Sequence, residues 1–135
     1  MSDRELLELA AKAAGFAIGF SKTSPEQGRP YVWNDEKKKG RWWNPIEDDG
    51  DALRMAVKLG LNIDIEPYEA VAYYAVGKFV CETATMGYSI DAATRRAIVR
   101  AAAEIGRQMH EGGAQHEREA HAWSVDDTKR WTRYH

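Results

Sequence analysis

The sequence predicts an α+β protein in which three helices pack on an antiparallel sheet, a β-meander plus a hairpin, in the order α-β-β-β-α-β-β-β-α. Three segments repeat apolar residues at helical spacing, and short β-prone runs separated by turn residues lie between them. The chain of 135 residues is the size of one domain, and its 44% hydrophobic content suffices for a real core. We therefore expect one domain over residues 1–113 and a polar tail over residues 114–135, either helical or ordered by a partner.

The first half of the chain predicts a helix followed by three strands. Ser2 and Glu5 have the spacing of a capping box at the helix start, and Gly15 suits its end. Residues 16–20, 31–33 and 41–43 are short apolar or aromatic runs typical of strands. The polar residues 34–40 between the last two runs indicate a hairpin loop.

The second half repeats this order and adds a long helix. The acids of residues 47–51 favour a helix start, because a helix N-terminus carries free N–H groups and a partial positive charge. Residues 61–65 alternate as in a half-buried strand, and residues 70–75 and 78–82 predict two more strands. Asp91 is expected to cap a third helix that runs to about His110. The apolar stripe of the middle helix is Ala52, Met55, Ala56 and Leu59.

Composition excludes several classes of protein. Lys and Arg total 19 against 21 Asp and Glu, so the net charge of −2 argues against a globally basic nucleic-acid binder. The single cysteine excludes an internal disulfide and a Cys-rich zinc site, and it fits a reducing cytosol. No apolar run approaches the ~20 residues of a membrane span, and the N-terminus lacks the apolar core of a signal peptide. We therefore expect a soluble intracellular protein.

The residues with catalytic or metal-binding chemistry do not form a recognisable site. The acids of residues 47–51 lack the spacing of a calcium-binding loop, so we interpret them as helix caps. Cys81 lies in an apolar strand pattern and is expected to be buried or half-buried rather than nucleophilic. The sequence thus predicts no enzyme, no cofactor and no metal site. The histidines, which lack the i, i+4 spacing of a helical zinc site, are His110, His116, His121 and His135.

Three segments resemble small accessory proteins of tailed phages and prophages. Residues 43–60 read WNPIEDDGDALRMAVKLG, residues 4–15 read RELLELAAKAAG, and residues 93–106 read ATRRAIVRAAAEIG. Their arrangement of helices and strands is also similar to that of the phage ABA-sandwich proteins. The resemblance implies a phage setting, in which many accessory proteins of this size inhibit host defence, and it implies no particular chemistry.

The hairpin region combines cations with aromatic residues and is the first candidate binding surface. Between residues 22 and 43, six cations and three acids give a net charge of +3. Such residues suit a nucleotide or nucleic acid, because cations neutralise phosphate while indoles stack on bases. They also suit the acidic surface of a partner protein. The third interpretation is structural, with the tryptophans in the core and the lysines at an exposed hairpin tip. Trp42 and Trp43 are adjacent on a strand, so one of them should point away from the core. The candidates are Arg29, Tyr31, Trp33, Lys37, Lys38, Lys39, Arg41, Trp42 and Trp43.

The tail carries a second basic and aromatic group. Trp and Tyr are strong interface anchors, with Arg close behind. The group either packs on its own domain or docks on a neighbouring subunit or a host target, and we expect a homo-oligomer, a dimer or larger. The candidates are Trp123, Arg130, Trp131, Arg133 and Tyr134.

Together these features predict a non-enzymatic phage accessory protein that counters a host defence process by binding, in the cytoplasm of a bacterial host. Two versions remain open, in which the protein masks a host protein or sequesters an anionic nucleotide signal. The alternative is a small regulatory nucleic-acid-binding protein that uses the same hairpin, although the net charge argues against it.

Overall fold

The predicted α+β class and the order of its elements are confirmed. The computed structural model describes residues 1–34, 39–85 and 88–111. The first half contains α1 (Asp3–Ala14), β1 (Ala17–Phe20), β2 (Pro30–Asn34) and β3 (Lys39–Trp42). The second half contains α2 (Asp49–Leu59), β4 (Asn62–Ile65), β5 (Glu69–Ala75), β6 (Lys78–Thr83) and α3 (Ile90–Glu111).

The six strands form two antiparallel sheets of three strands each. Sheet A has the order β1-β2-β3, and sheet B has the order β4-β5-β6. The predicted hairpin between residues 31 and 43 is present, since β2 pairs with β3 from Tyr31 opposite Trp42 to Asn34 opposite Lys39. The expectation of one sheet built from a meander and a hairpin is corrected, because β4 pairs with β5 and completes a second meander.

Both halves of the chain begin with the same unit, a helix that ends at a glycine and leads at once into a strand. Gly15 and Gly60 end α1 and α2 with φ values of 80° and 66°, in the left-handed region that favours glycine. The residue after each glycine donates its N–H back to a carbonyl near the helix end, from Phe16 in α1 and from Leu61 in α2. The N–H of each glycine also donates to a carbonyl of the last helical turn, and the two hydrogen bonds together form a Schellman ending.

The helix starts agree with the sequence at α1 and differ at α3. Ser2 and Glu5 form the predicted capping box at α1. At α3 the predicted cap, Asp91, lies inside the first turn, and the Ser89 hydroxyl accepts instead from Ala92 N–H at 3.1 Å. A hydroxyl three residues before an N–H reaches it directly, so α3 starts at Ile90 and Asp91 adds a favourable charge to the helix start.

Helix α3 contributes to both hydrophobic clusters of the described chain. One side of α3 supplies Ala97 and Ala101, which pack on Ala70, Ala72 and Val80 of sheet B. The other side packs against α1, α2 and sheet A through Ile98, Val99, Ala102 and Ala103. Each sheet therefore packs one face on helices and leaves the other face uncovered by the described residues.

Small residues allow α1 and α3 to approach closely. Ala10, Ala11 and Ala14 of α1 are almost completely buried, and Gly106 of α3 lies against Leu9. A Cβ atom on Gly106 would lie 2.8 Å from the Leu9 carbonyl carbon and closer still to its oxygen. The neighbouring atoms belong to backbone, so they cannot rotate aside.

Among the described residues, no helix is both long and apolar enough to cross a membrane.

We expect Gly106→Ala to lower the free energy of unfolding by about 3 kcal/mol, since the added methyl overlaps the α1 backbone. Gly50→Ala is the matched control, because its Cβ would meet the ends of two side chains, Arg54 at 3.1 Å and Asp48 at 3.2 Å, rather than backbone. That control should change the free energy of unfolding by less than about 1 kcal/mol. Urea unfolding followed by circular dichroism measures both, and equal effects would contradict the close helix contact.

Candidate binding surface on sheet A

The two faces of sheet A have different environments because successive residues of a strand point to opposite sides. One face carries Ile18 and Val32, which are opposite each other in the register and pack on the helices. The other face carries Tyr31 and Trp33 from β2 and Trp42 from β3, with Tyr31 directly opposite Trp42. This second face points away from the core.

The three rings are exposed, and two of them lie on glycines of the neighbouring strands. Tyr31, Trp33 and Trp42 retain 40%, 43% and 44% of their accessible surface. A Cβ atom on Gly19 would lie 2.5 Å from Tyr31 Cζ, and one on Gly40 would lie 3.1 Å from Trp33 Cε3. The two glycines therefore make the room in which Tyr31 and Trp33 lie across the sheet.

Arg29 extends this surface beside Trp42. Its guanidinium lies 4.3 Å from the centre of the Trp42 ring, and Arg29 Nη1 is 3.0 Å from Glu26 Oε2. The Tyr31 and Trp42 rings meet edge to face, with centroids 6.3 Å apart. Ring and cation contacts of this kind restrain the side chains. We call the surface formed by Arg29, Tyr31, Trp33 and Trp42 the aromatic face.

Trp43 is a core residue, which corrects its assignment to the binding set. It is 1% exposed and meets the Phe16 ring edge-on, with centroids 5.8 Å apart. The expectation that Trp42 and Trp43 point to opposite sides is confirmed. Trp42 is the one that faces outward.

Arg41 and Lys39 do not lie on the aromatic face, which corrects their assignment to one binding surface with the rings. Both alternate with Gly40 and Trp42 along β3 and so point to the opposite side of sheet A. Arg41 Nη1 donates to Asp51 Oδ1 at 3.1 Å. Lys37, Lys38 and the tail candidates Trp123, Arg130, Trp131, Arg133 and Tyr134 lie outside the described residues.

Asp51 holds sheet A against α2, a role that the sequence analysis missed. It is 5% exposed and accepts hydrogen bonds from Arg41 at 3.1 Å, from Arg54 at 2.7 Å and from the Asn44 N–H at 2.9 Å. Its position four residues before the buried Met55 was a signal, because that spacing places both on the same side of a helix. The carboxylate thus joins the end of β3 to the start of α2.

Of the other acids in residues 47–51, Asp48 acts as the predicted helix cap, whereas Asp49 pairs with an arginine of α3. Asp48 caps α2 by accepting the Asp51 N–H at 2.8 Å, and Asp49 pairs with Arg95 at 2.7 Å. Their partners are thus a backbone donor and an arginine. Among the residues that the structure describes, no group of three or more His, Cys, Asp or Glu side chains is placed to hold a metal ion.

Cys81 is exposed, which corrects the expectation of a buried or half-buried thiol. It alternates with the buried Val80 on β6 and so points to the uncovered face of sheet B. Its Sγ donates to Glu69 Oε2 at 3.6 Å. Desolvation, the charge and hydrogen bond of Glu69 and the charge of Glu82 raise the pKa of the Cys81 thiol. The site therefore lowers the thiolate fraction, unlike the setting of a nucleophilic cysteine.

Asp51→Ala should lower the free energy of unfolding by about 2–3 kcal/mol, since it leaves the Asn44 N–H and Arg41 without their acceptor. Asp49→Ala is the control, because the Asp49 side chain is 79% exposed and exposed ion pairs contribute at most about 1 kcal/mol. Thermal and urea unfolding of the two variants give the comparison. A loss at Asp49 as large as that at Asp51 would refute the buried role of Asp51.

Cys81 should react with iodoacetamide at pH 8 more slowly than a free cysteine peptide, because a raised thiol pKa leaves less thiolate at that pH. Glu69→Gln removes the neighbouring charge, lowers the pKa of the thiol and speeds the reaction. Glu66→Gln, at the β4 end of the β4–β5 turn and not among the groups that shift the pKa of Cys81, serves as the control. Identical rates for the two variants would exclude Glu69 as a cause.

Comparisons of the chain with protein-family models, with curated proteins and with solved structures find no match.

Proposed function

We propose that this chain is a non-enzymatic phage accessory protein that masks a host defence protein by binding it through the aromatic face. The observation that carries the proposal is the exposure of Tyr31, Trp33 and Trp42 together on one side of sheet A. Neighbouring exposed rings of this kind mark interaction sites, and Tyr, Trp and Arg dominate the binding energy of protein interfaces.

The restraint of the rings supports a binding role. Tyr31 lies over Gly19, Trp33 lies over Gly40, and Trp42 is flanked by Arg29 and Tyr31. Side chains that are already held in place lose little conformational entropy when a partner covers them. The surface is therefore preorganised, and a partner would gain most of the burial energy of the rings.

Among the residues that the structure describes, the distribution of charge favours a protein partner over an anionic nucleotide. A phosphate group needs cations beside the rings on which its base stacks. Arg29 is already paired with Glu26, and Arg41 is bonded to Asp51 on the opposite side of the sheet. Of the two versions predicted from the sequence, masking of a host protein is the one that these contacts support.

The proposed phage origin of the protein rests on a different observation from the proposed binding surface. It is inferred from the resemblance of residues 4–15, 43–60 and 93–106, which lie mainly in α1, α2 and α3. The rings of the aromatic face lie outside these segments. We infer that the helices are the shared scaffold and that sheet A carries the recognition surface particular to this chain.

The test compares the native protein with the double variant Trp33→Ala/Trp42→Ala. The matched control is Tyr73→Ala/Phe79→Ala, which removes an exposed pair of rings, 5.6 Å apart, from sheet B. Each protein is expressed in defended bacteria, phage plating efficiency is measured, and the purified protein is analysed by native mass spectrometry. Circular dichroism confirms that each variant folds.

We expect the native protein and the control to raise plating efficiency and to retain one host polypeptide in stoichiometric amount. The Trp33→Ala/Trp42→Ala variant should lose both properties, since removal of two interface anchors weakens binding by about 100-fold or more. Full activity of that variant would refute the proposal. So would a retained mass of nucleotide size in place of a polypeptide.

A further inference from the structure

A second surface, distinct from the aromatic face, is an apolar groove between α2, the end of β4 and the start of α3. Its volume is about 300 Å³. Two of its lining side chains are unusually exposed for apolar residues, Leu53 at 63% and Ile65 at 59%. Val57, one turn further along α2, is 64% exposed and continues the apolar surface. The remaining apolar lining is Ala52, Ile90 and Ile98.

The rim of this groove is acidic. Asp49 and Asp91 line it, Glu47 and Asp48 precede Asp49 in the chain, and Glu66 follows Ile65. Arg95 also lines the groove and bonds Asp49, and Arg54 bonds Asp51, so these two cations offset only part of the negative charge. The groove thus combines an apolar floor with an excess of negative charge, which suits a ligand that carries aromatic rings beside cations.

We propose that residues 129–135 of this same chain occupy the groove. These residues read KRWTRYH and carry three cations and no acid, so their formal charge is +3 with His neutral. Trp131 and Tyr134 supply the apolar surface for the floor, while Lys129, Arg130 and Arg133 supply the charges for the rim. The aromatic face is a poorer match, because Glu26 beside it bonds Arg29, whereas Asp91 of the groove has no ion pair among the described residues.

The part of the chain that follows α3 is long enough for residues 129–135 to reach the groove. The groove lies at the start of α3, and α3 has 22 residues, so its far end is about 33 Å away. The 17 residues from 112 to 128 can span up to about 56 Å when extended, which exceeds this distance. The segment can therefore return to the groove of its own molecule.

The test replaces Trp131 with photoreactive p-benzoyl-phenylalanine in the full-length protein and maps the crosslinks by mass spectrometry. A one-to-one mixture of light and heavy isotope-labelled protein separates crosslinks within a molecule from those between molecules. We expect crosslinks to α2, β4 or the start of α3, within light or within heavy chains only. Salt at 1 M should lower the yield, because it screens exposed charges.

Two variants test the two components of the contact. Asp91→Lys reverses a rim charge and should lower the crosslink yield about fivefold. Leu53→Ser removes part of the floor at an exposed position and should also lower it. The control, Glu8→Lys, makes the same change of charge on the exposed side of α1 and should leave the yield unchanged.

Three results would overturn the proposal. These are crosslinks to β2 or β3, crosslinks between light and heavy chains, which would place a second copy in the groove, and equal yields for Asp91→Lys and Glu8→Lys. Only crosslinks to β2 or β3 would also bear on the aromatic face. The other two results concern the groove alone, so the two proposals can fail separately.

Discussion

The structure depends on how closely α3 approaches its neighbours. The side chains that α3 presents to α1 and to sheet B are mostly alanines, and Gly106 replaces a side chain where Leu9 comes nearest. One helix thereby supplies both hydrophobic clusters, so a bulkier residue at its closest contact would loosen the packing of both halves. The polar side of α3 reinforces the arrangement, because Arg95 reaches Asp49 of α2 and Arg96 reaches Asp3 of α1.

This arrangement explains why the proposed recognition surface lies on sheet A. The helices cover the inner faces of both sheets, and Asp51 attaches the end of β3 to α2. Arg41 makes this attachment by bonding Asp51, whereas the rings on the other side of the sheet are not covered by the described residues. Gly19 and Gly40 contribute to the outer face of sheet A, because their lack of a side chain lets Tyr31 and Trp33 lie across the sheet.

Features set by neighbouring residues were predictable, and features set by packing were not. The capping box of Ser2, the glycine ends of α1 and α2 and the order of elements follow from local patterns. Alternation showed that Trp42 and Trp43 point to opposite sides, but which one is buried depends on where the helices lie. Packing also decides the exposure of Cys81, which depends on the face of sheet B that α3 covers. It likewise decides the burial of the Asp51 carboxylate, because Arg41, one of its partners, comes from another element.

Fluorine NMR of the full-length protein labelled with 5-fluorotryptophan tests whether the aromatic face is free. Single Trp→Phe variants assign the signals, and a soluble paramagnetic gadolinium chelate broadens the signals of rings that face solvent. The structure predicts strong broadening for Trp33 and Trp42 and little for Trp43, which are 43%, 44% and 1% exposed. Protection of Trp33 and Trp42 equal to that of Trp43 would show that the face is already covered in the free protein, and it would contradict the account given above.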